Sequence, residues 1–523
     1  MPNTPDPDPS PPSKPPHAIP AWLLALALGA IVIAFAGRIL APSDLLQNTD
    51  QSKTMALTAD VVANARWALP RDAEGAITHK PPLVNWIAAV PVSLGFWSEW
   101  AFKLPSLLGA LATMGATAAA ARFLFTRPGV QLSDRAAKLA PAGIALLAAM
   151  LWLASPTAIK HLYFCRPDML FTACLAWGWY ASLRAIHDPH ANPTRWALLV
   201  WVFTGLALLT KGPLALLLPL YVLLAPLVIE RRPRLLKRTG VWWGLPLAIA
   251  MLALWLVPAW LSDREFVEDT LIGFELLSRI GFATDNTLAP AGTEMRPDAP
   301  PYALDVIQRI PEIPSWFVER FLVWSPFALF ALVLSPPWKW RSSPLAPAAL
   351  WLLLVFVSTM LIRNRGGSYL MPAYPAAAVL ALGVLLHRRS PLAPLPIALT
   401  ALVVTSLIVG REAFFSRAAR SHAGDHAWAF AKAAREIVGD DPVVFSGTLH
   451  NPIPLMMRRA RAGEPTPEQV QGASWIVRPI PATASPDRPV PVLSSEELLQ
   501  LRSTGEARGA PARLGLYPAP APR

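Results

Sequence analysis

The sequence predicts an all-α, multi-span membrane protein of about eleven transmembrane helices, with a large first outer loop and a small C-terminal α/β soluble domain. Three observations carry this reading. Only 15% of the 523 residues are charged and 54% are hydrophobic, against about a quarter charged in an ordinary soluble domain. Apolar runs near the roughly 20 residues needed to cross a bilayer recur through the first 410 positions. The pattern breaks at 41–101 and 262–315, and after 410 it gives way to mixed polar and apolar sequence.

The formal net charge of +12 does not signal a nucleic-acid binder. Most Lys and Arg sit in short turns between apolar runs, where they orient helices, and no nucleic-acid motif is present. The 21 Trp suit interfacial belts. Cys165 and Cys174 have neither metal-ligand spacing nor a disulfide framework, and read as packing residues.

Residues 1–20 hold nine prolines and almost no apolar side chains, so they read as a disordered cytoplasmic tail. Ala21–Leu40 is long for a signal-peptide core and is expected to be a retained anchor. Within the first outer loop, the apolar piece 81–96 is short, proline-bounded and contains Asn85 and Trp86; it reads as a re-entrant or interfacial helix. Further spans are expected near 102–125, 136–154, 168–186, 195–210, 212–229, 240–261, 316–335, 344–362, 368–386 and 391–410, completing a transmembrane domain over 21–410.

Orientation follows from charge. The turns bearing Arg122, Arg127, Arg135 and Lys138, the run 230–238, Lys339 with Arg341, and 387–389 are basic and should be cytoplasmic. The 262–315 loop has ten acids against four Arg and belongs on the other side with 41–101. A small outer domain is expected over 411–510, with helical periodicity through 427–438 and strand-like pieces at 442–447 and 474–479. Residues 511–523 read as a proline-rich disordered tail.

Asp50 follows the first span by about ten residues and precedes apolar residues at helical spacing. An Asp there ordinarily caps a helix, but an amphipathic helix lying on the membrane would also hold Asp50 at the interface. Asp168 enters the fourth span, where an ionisable group is expensive and marks function; the plain reading is a local ion pair with Arg166. Two carboxylates on different outer loops could converge, one as general base and the other orienting the acceptor or holding a divalent cation.

Positive charge also collects at outward ends: His79, Lys80, Lys211, Arg279, Arg363 and Arg365. For Arg363 and Arg365 the plain reading is interfacial anchoring. Basic residues on that side oppose the positive-inside bias, so an anion is expected there. A lipid phosphate is the natural partner. Gly366 and Gly367 would let backbone approach it closely.

In order along the chain stand Asp50, ARWALPRD, THKPPLVNWIAA, FWSEWAFKLPSLLGAL, RPDMLF, LLTKGPLAL and RGGSYLMPAYP. In order and spacing these resemble the GT-C membrane glycosyltransferases, in the bacterial branch similar to lipid A aminoarabinose transferase and to protein O-mannosyltransferases, over approximately residues 20–390. The resemblance implies transfer from a polyprenyl-phosphate sugar donor to a lipid, glycan or protein acceptor, among membrane lipids, at the outer face of the cell inner membrane. It implies Asp50 and Asp168 as catalytic residues, and Lys80, Lys211, Arg279, Arg365 and Tyr369 as donor-phosphate and lipid contacts. It leaves open a divalent metal ion at Asp50, His79 and Asp168. Two departures stand out: Gln51 follows Asp50 where the family usually has Glu, and His79 replaces an acid before the Lys-Pro pair.

A secondary transporter would also carry many spans and intramembrane charges, but it predicts an internal repeat with paired broken helices. No such halves are visible, and the charged candidates gather at one surface. A membrane-anchored binding or assembly protein is a third reading, with its working part after residue 410.

Overall fold

The computed structural model describes residues 19–45, 49–72, 75–127, 129–276, 307, 310–334, 340, 343–362, 366–416, 419, 423–441, 443–445, 475–479, 493–494 and 514–518. The described chain is mostly helix. Pro at or beside the first helical position starts several helices, since its missing N–H costs nothing there. Examples are α6 (Pro141–Leu153), α7 (Pro156–His161) and α9 (Pro193–Lys211), and Ser155 and Asn192 cap the last two through their side chains.

Among the described residues, seven helical stretches are long and apolar enough to cross a membrane, including α1 (Ala21–Leu40), α4 (Glu99–Phe125) and α11 (Val241–Ser262). Pro141–Leu153 and Ala346–Leu361 are apolar but shorter. The fourth expected span is α8 (Asp168–His187), buried along most of its length between α4 and α9. The stretch Pro193–Ile229 counts as one helical run, yet it doubles back. Gly212 takes φ 73°, a left-handed conformation that glycine adopts without strain, and α9 stops there, leaving Lys211 at its tip. After α10 (Leu217–Leu224), Glu230 meets His187 at the far end of α8, with its carboxylate 2.6 Å from Nδ1.

The bundle therefore has two chemically different ends. At one, basic turns meet: Arg127 pairs with Glu230 at 3.8 Å, and Leu132 bridges His387 in antiparallel fashion. At the other lie the start of α4, the start of α8, the tip of α9 and the first loop. That loop contains α2 (Thr49–Asn64) and α3 (Leu83–Ser93), the expected short helix. Asn85 fixes α3 to α2, donating from Nδ2 to the Thr54 carbonyl at 3.1 Å and to Thr58 Oγ1 at 3.0 Å.

The remaining α-helices are the short α5 (Asp134–Ala137), α12 (Glu312–Phe321), α13 (Ser325–Leu334), α14 (Ala346–Leu361), α15 (Tyr374–Leu385), α16 (Pro394–Gly410) and α17 (Ala423–Val438) among the described residues. A 3-10 turn, Gly367–Ala373, leads into α15. α17 accompanies a four-stranded sheet ordered β1-β2-β4-β3, made of Val443–Phe445, Trp475–Pro479, Leu493–Ser494 and Leu514–Pro518. The expected tail at 511–523 is thus corrected: β4 pairs antiparallel with β2 from Leu514 to Pro518. Leu516 is fully buried, and its burial outweighs the flanking prolines that suggested disorder.

The C-terminal helix and sheet share an apolar cluster with the first loop and the start of α4, through Leu45, Met55, Ala59 and Phe102 against Phe430, Ala434, Val477 and Leu516. Asp425 Oδ1 also accepts the Ser43 backbone N–H at 3.1 Å. The C-terminal helix and sheet therefore rest on the end of the bundle that carries the first loop.

Candidate functional site

Five of the residues singled out in the sequence converge at that end. Asp168 stands in the first turn of α8 with a side chain only 1% exposed. Its place depends on close helix contact: a Cβ on Gly109 of α4 would meet Leu170 N at 2.8 Å, so α8 can approach only because Gly109 has none. Lys211 reaches back from the tip of α9 and donates from Nζ to Asp168 Oδ1 at 2.6 Å. The same Nζ lies 4.0 Å from the centroid of the Tyr369 ring, a cation–π contact that draws Tyr369 into the group.

Arg166 is the connection that the sequence revealed only in part. Its Nε stands 3.2 Å from Asp168 Oδ2, the local ion pair expected from RPD. Its Nη2 also pairs with Asp50 Oδ2 at 3.0 Å, joining the second loop to the first. Asp50 lies in the first turn of α2, inside the helix, with 41% of its side chain exposed. The two carboxylates therefore share one guanidinium but differ in access: Asp168 is closed off and Asp50 is open.

Lys80 completes the charge cluster. It is delivered by a folded loop in which Arg71 bridges Ile77, and Thr78 Oγ1 accepts the Lys80 backbone N–H at 3.1 Å. Burial pushes the Lys80 ammonium below its ordinary value, while Asp50 and Asp168 nearby oppose the shift. His161 on α7 borders the same group. Its Nδ1 lies 2.9 Å from the Thr157 carbonyl, which can only accept, so Nδ1 carries the proton. Burial holds His161 down at about 4 against the pull of Asp168, so the ring is neutral at physiological pH.

His79 is exposed and stacks on Phe266 with ring centroids 5.9 Å apart. Among the described residues no three His, Cys, Asp or Glu side chains come together in a metal-binding group. Arg166 stands between Asp50 and Asp168 and pairs with both carboxylates. Arg279, Arg363 and Arg365 lie outside the described residues. Gly367 stands against the Arg320 guanidinium, where a Cβ would come within 2.1 Å of its central carbon.

Beneath this cluster lies a second one that sequence reasoning missed. Lys103 in the first turns of α4, 1% exposed, donates to Asp44 Oδ1 at 2.6 Å and to Glu99, and lies 4.5 Å over the Tyr163 ring. Arg38 at the end of α1 pairs with the other Asp44 oxygen at 3.1 Å. Burial alone would raise the Asp44 carboxyl, but Lys103 and Arg38 beside it hold it below the ordinary range. The sequence signal was slight: a Lys inside an expected span and an acid four residues earlier.

The mostly helical bundle, with a charge cluster at the end that carries its first loop, has a GT-C-type fold. Comparison with known proteins agrees. Residues 79–257 match the family model described as dolichyl-phosphate-mannose-protein mannosyltransferase. The fold matches the crystal structure of ArnT from Cupriavidus metallidurans bound to undecaprenyl phosphate over 96% of this chain and 99% of that one, with TM-score 0.66 and 17% sequence identity. The apo state of the same protein matches over 96% and 98%, with TM-score 0.65 and 18% identity. No curated protein sequence matches the chain.

Proposed function

We propose that the protein is a membrane glycosyltransferase that moves a sugar from a polyprenyl-phosphate donor to a lipid, glycan or protein acceptor at the outer face of the cytoplasmic membrane. One observation carries the reading most strongly. An accessible carboxylate, Asp50, is held 3.0 Å from Arg166 in the same cluster as Lys211 and Lys80, so a candidate base stands beside cations suited to phosphate. The solved relative bound to undecaprenyl phosphate supports the donor class.

The reaction is a single displacement at the anomeric carbon. Asp50 takes the proton from the acceptor hydroxyl or amine as the new bond to the anomeric carbon forms. The bond from that carbon to the phosphate oxygen breaks, and its electron pair leaves with the polyprenyl phosphate. Lys80 and Lys211 stabilise the charge growing on that oxygen, joined by Arg279, Arg365 and Tyr369 as donor contacts. Attack from the opposite face inverts the anomeric configuration. Asp168 does not act as a base, because protonation would cost it both ion pairs; it orients Lys211 and Arg166.

Lipid extracts of membranes with and without the protein test this directly. A polyprenyl-phosphate sugar is expected to accumulate when the protein is absent. Unchanged lipid-linked sugars together with unchanged surface glycans would contradict transfer.

A further inference from the structure

The residue after Asp50 makes its side-chain contacts with Asp44 and Cys165. Gln51 is fully buried, and its amide is used on both sides. Nε2 donates to the Asp44 main-chain oxygen and to Asp44 Oδ1, each at 3.1 Å. Oε1 accepts the Cys165 backbone N–H at 2.8 Å. Gln51 and Cys165 are the chain neighbours of Asp50 and Arg166, whose ion pair spans the two loops. The second loop is held from its other side by Ser106, whose Oγ donates to the Phe164 carbonyl at 2.5 Å and the Arg166 carbonyl at 3.2 Å.

We propose that Gln51 is a positioning residue for sugar transfer: its side-chain amide ties the first loop to the second and so fixes Asp50 against Arg166. The proposal rests on the transferase reading above. The chemistry at this point admits few substitutes. Asp44 presents a carboxylate and needs a donor, while the Cys165 N–H needs an acceptor; a neutral primary amide supplies both. A carboxylate at position 51 would supply the acceptor but set a like charge against Asp44, which already answers to Arg38, Lys103 and, through Lys103, Glu99. An apolar side chain would strand the Cys165 N–H in a buried place. Tyr163 and the raised thiol of Cys165, pushed up to about 12 by burial, add no charge near neutrality. Gln51 is thus part of the anchor under the site, and this chain's departure from an Asp-Glu pair removes no acid from the cleft.

The test uses the full-length protein and compares Gln51→Glu with the parent for kcat, donor KM and their pH dependence. Near neutral pH, kcat should fall on the order of 100-fold, the cost of a displaced catalytic group, with donor KM within about threefold because Lys80 and Lys211 are untouched. In that variant a protonated carboxyl at position 51 carries both a donor and an acceptor. The ratio of variant to parent kcat should therefore rise as pH is lowered from about 8 to about 5. Asp44→Asn combined with Gln51→Glu removes the like charge and should recover kcat to within about fivefold of Asp44→Asn alone. A pH profile parallel to the parent, or a double variant that falls as far below Asp44→Asn as Gln51→Glu falls below the parent, would overturn the proposal. Should Gln51→Glu not fold, Gln51→Met replaces it: reduced kcat at unchanged donor KM supports positioning, and parental kcat overturns it. A parent protein that transfers no sugar defeats the transferase reading itself, an outcome distinct from active variants beside an active parent.

Discussion

Replacing Asp168 with Asn is expected to abolish sugar transfer and to lower the stability of the purified protein by about 3–5 kcal/mol, the usual cost of breaking a buried ion pair from one side. The carboxylate is 1% exposed and serves two cations, Lys211 at 2.6 Å and Arg166 at 3.2 Å. Once it is neutral, those cations lose the negative charge that lies between them. Arg166 is left with Asp50 alone, and Lys211 loses the contact that holds its ammonium over Tyr369. The base is then misplaced and a phosphate-binding cation freed together. Thermal unfolding in detergent, followed by tryptophan fluorescence, reads the stability, and transfer to acceptor reads the activity. A variant with parental midpoint and parental rate would show that Asp168 organises nothing.

Lys103→Met should be as damaging to folding, although it touches no group in the cleft. Lys103 is the cation between Asp44 and Glu99, and Met keeps its length without its charge. Of the two half-buried carboxylates, Asp44 would then keep only Arg38, and Glu99 would lose its Lys103 partner. The loss is again about 3–5 kcal/mol, enough to remove most folded protein from a marginally stable chain. Adding Glu99→Gln should restore part of it by removing one of the stranded charges. Yield of monodisperse protein and the unfolding midpoint decide the matter; a single variant as stable as the parent would show that the network is dispensable.

How much of this could be read before the structure depends on the range of each interaction. Spans are local, because a bilayer demands about 20 apolar residues in a row, and helices formed near each expected position among the described residues. Lys211 beside Gly212, and Asp168 at the start of an apolar run, were visible for the same reason: each is a local anomaly. The Asp50 to Arg166 ion pair and the Gln51 to Cys165 hydrogen bond join separate loops, and nothing in either stretch announces its partner. Asp44 is one of several acids in a long loop, and Lys103 lies at the edge of an expected span, so neither stretch marks the pair. Strand β4 was hidden by the prolines around it, although the spacing of Leu514 and Leu516 matches one face of a strand.

The most direct measurement is transfer of a defined polyprenyl-phosphate sugar by the purified parent and by Asp50→Asn, with the anomeric configuration of the product determined. An inverted product is expected from the parent. The variant should be slower by at least about 100-fold, as loss of a general base requires, in protein that still folds, because the Asp50 side chain is 41% exposed. Transfer by Asp50→Asn at the parental rate, or a product of retained configuration, would contradict the assignment of Asp50 as the base of an inverting displacement.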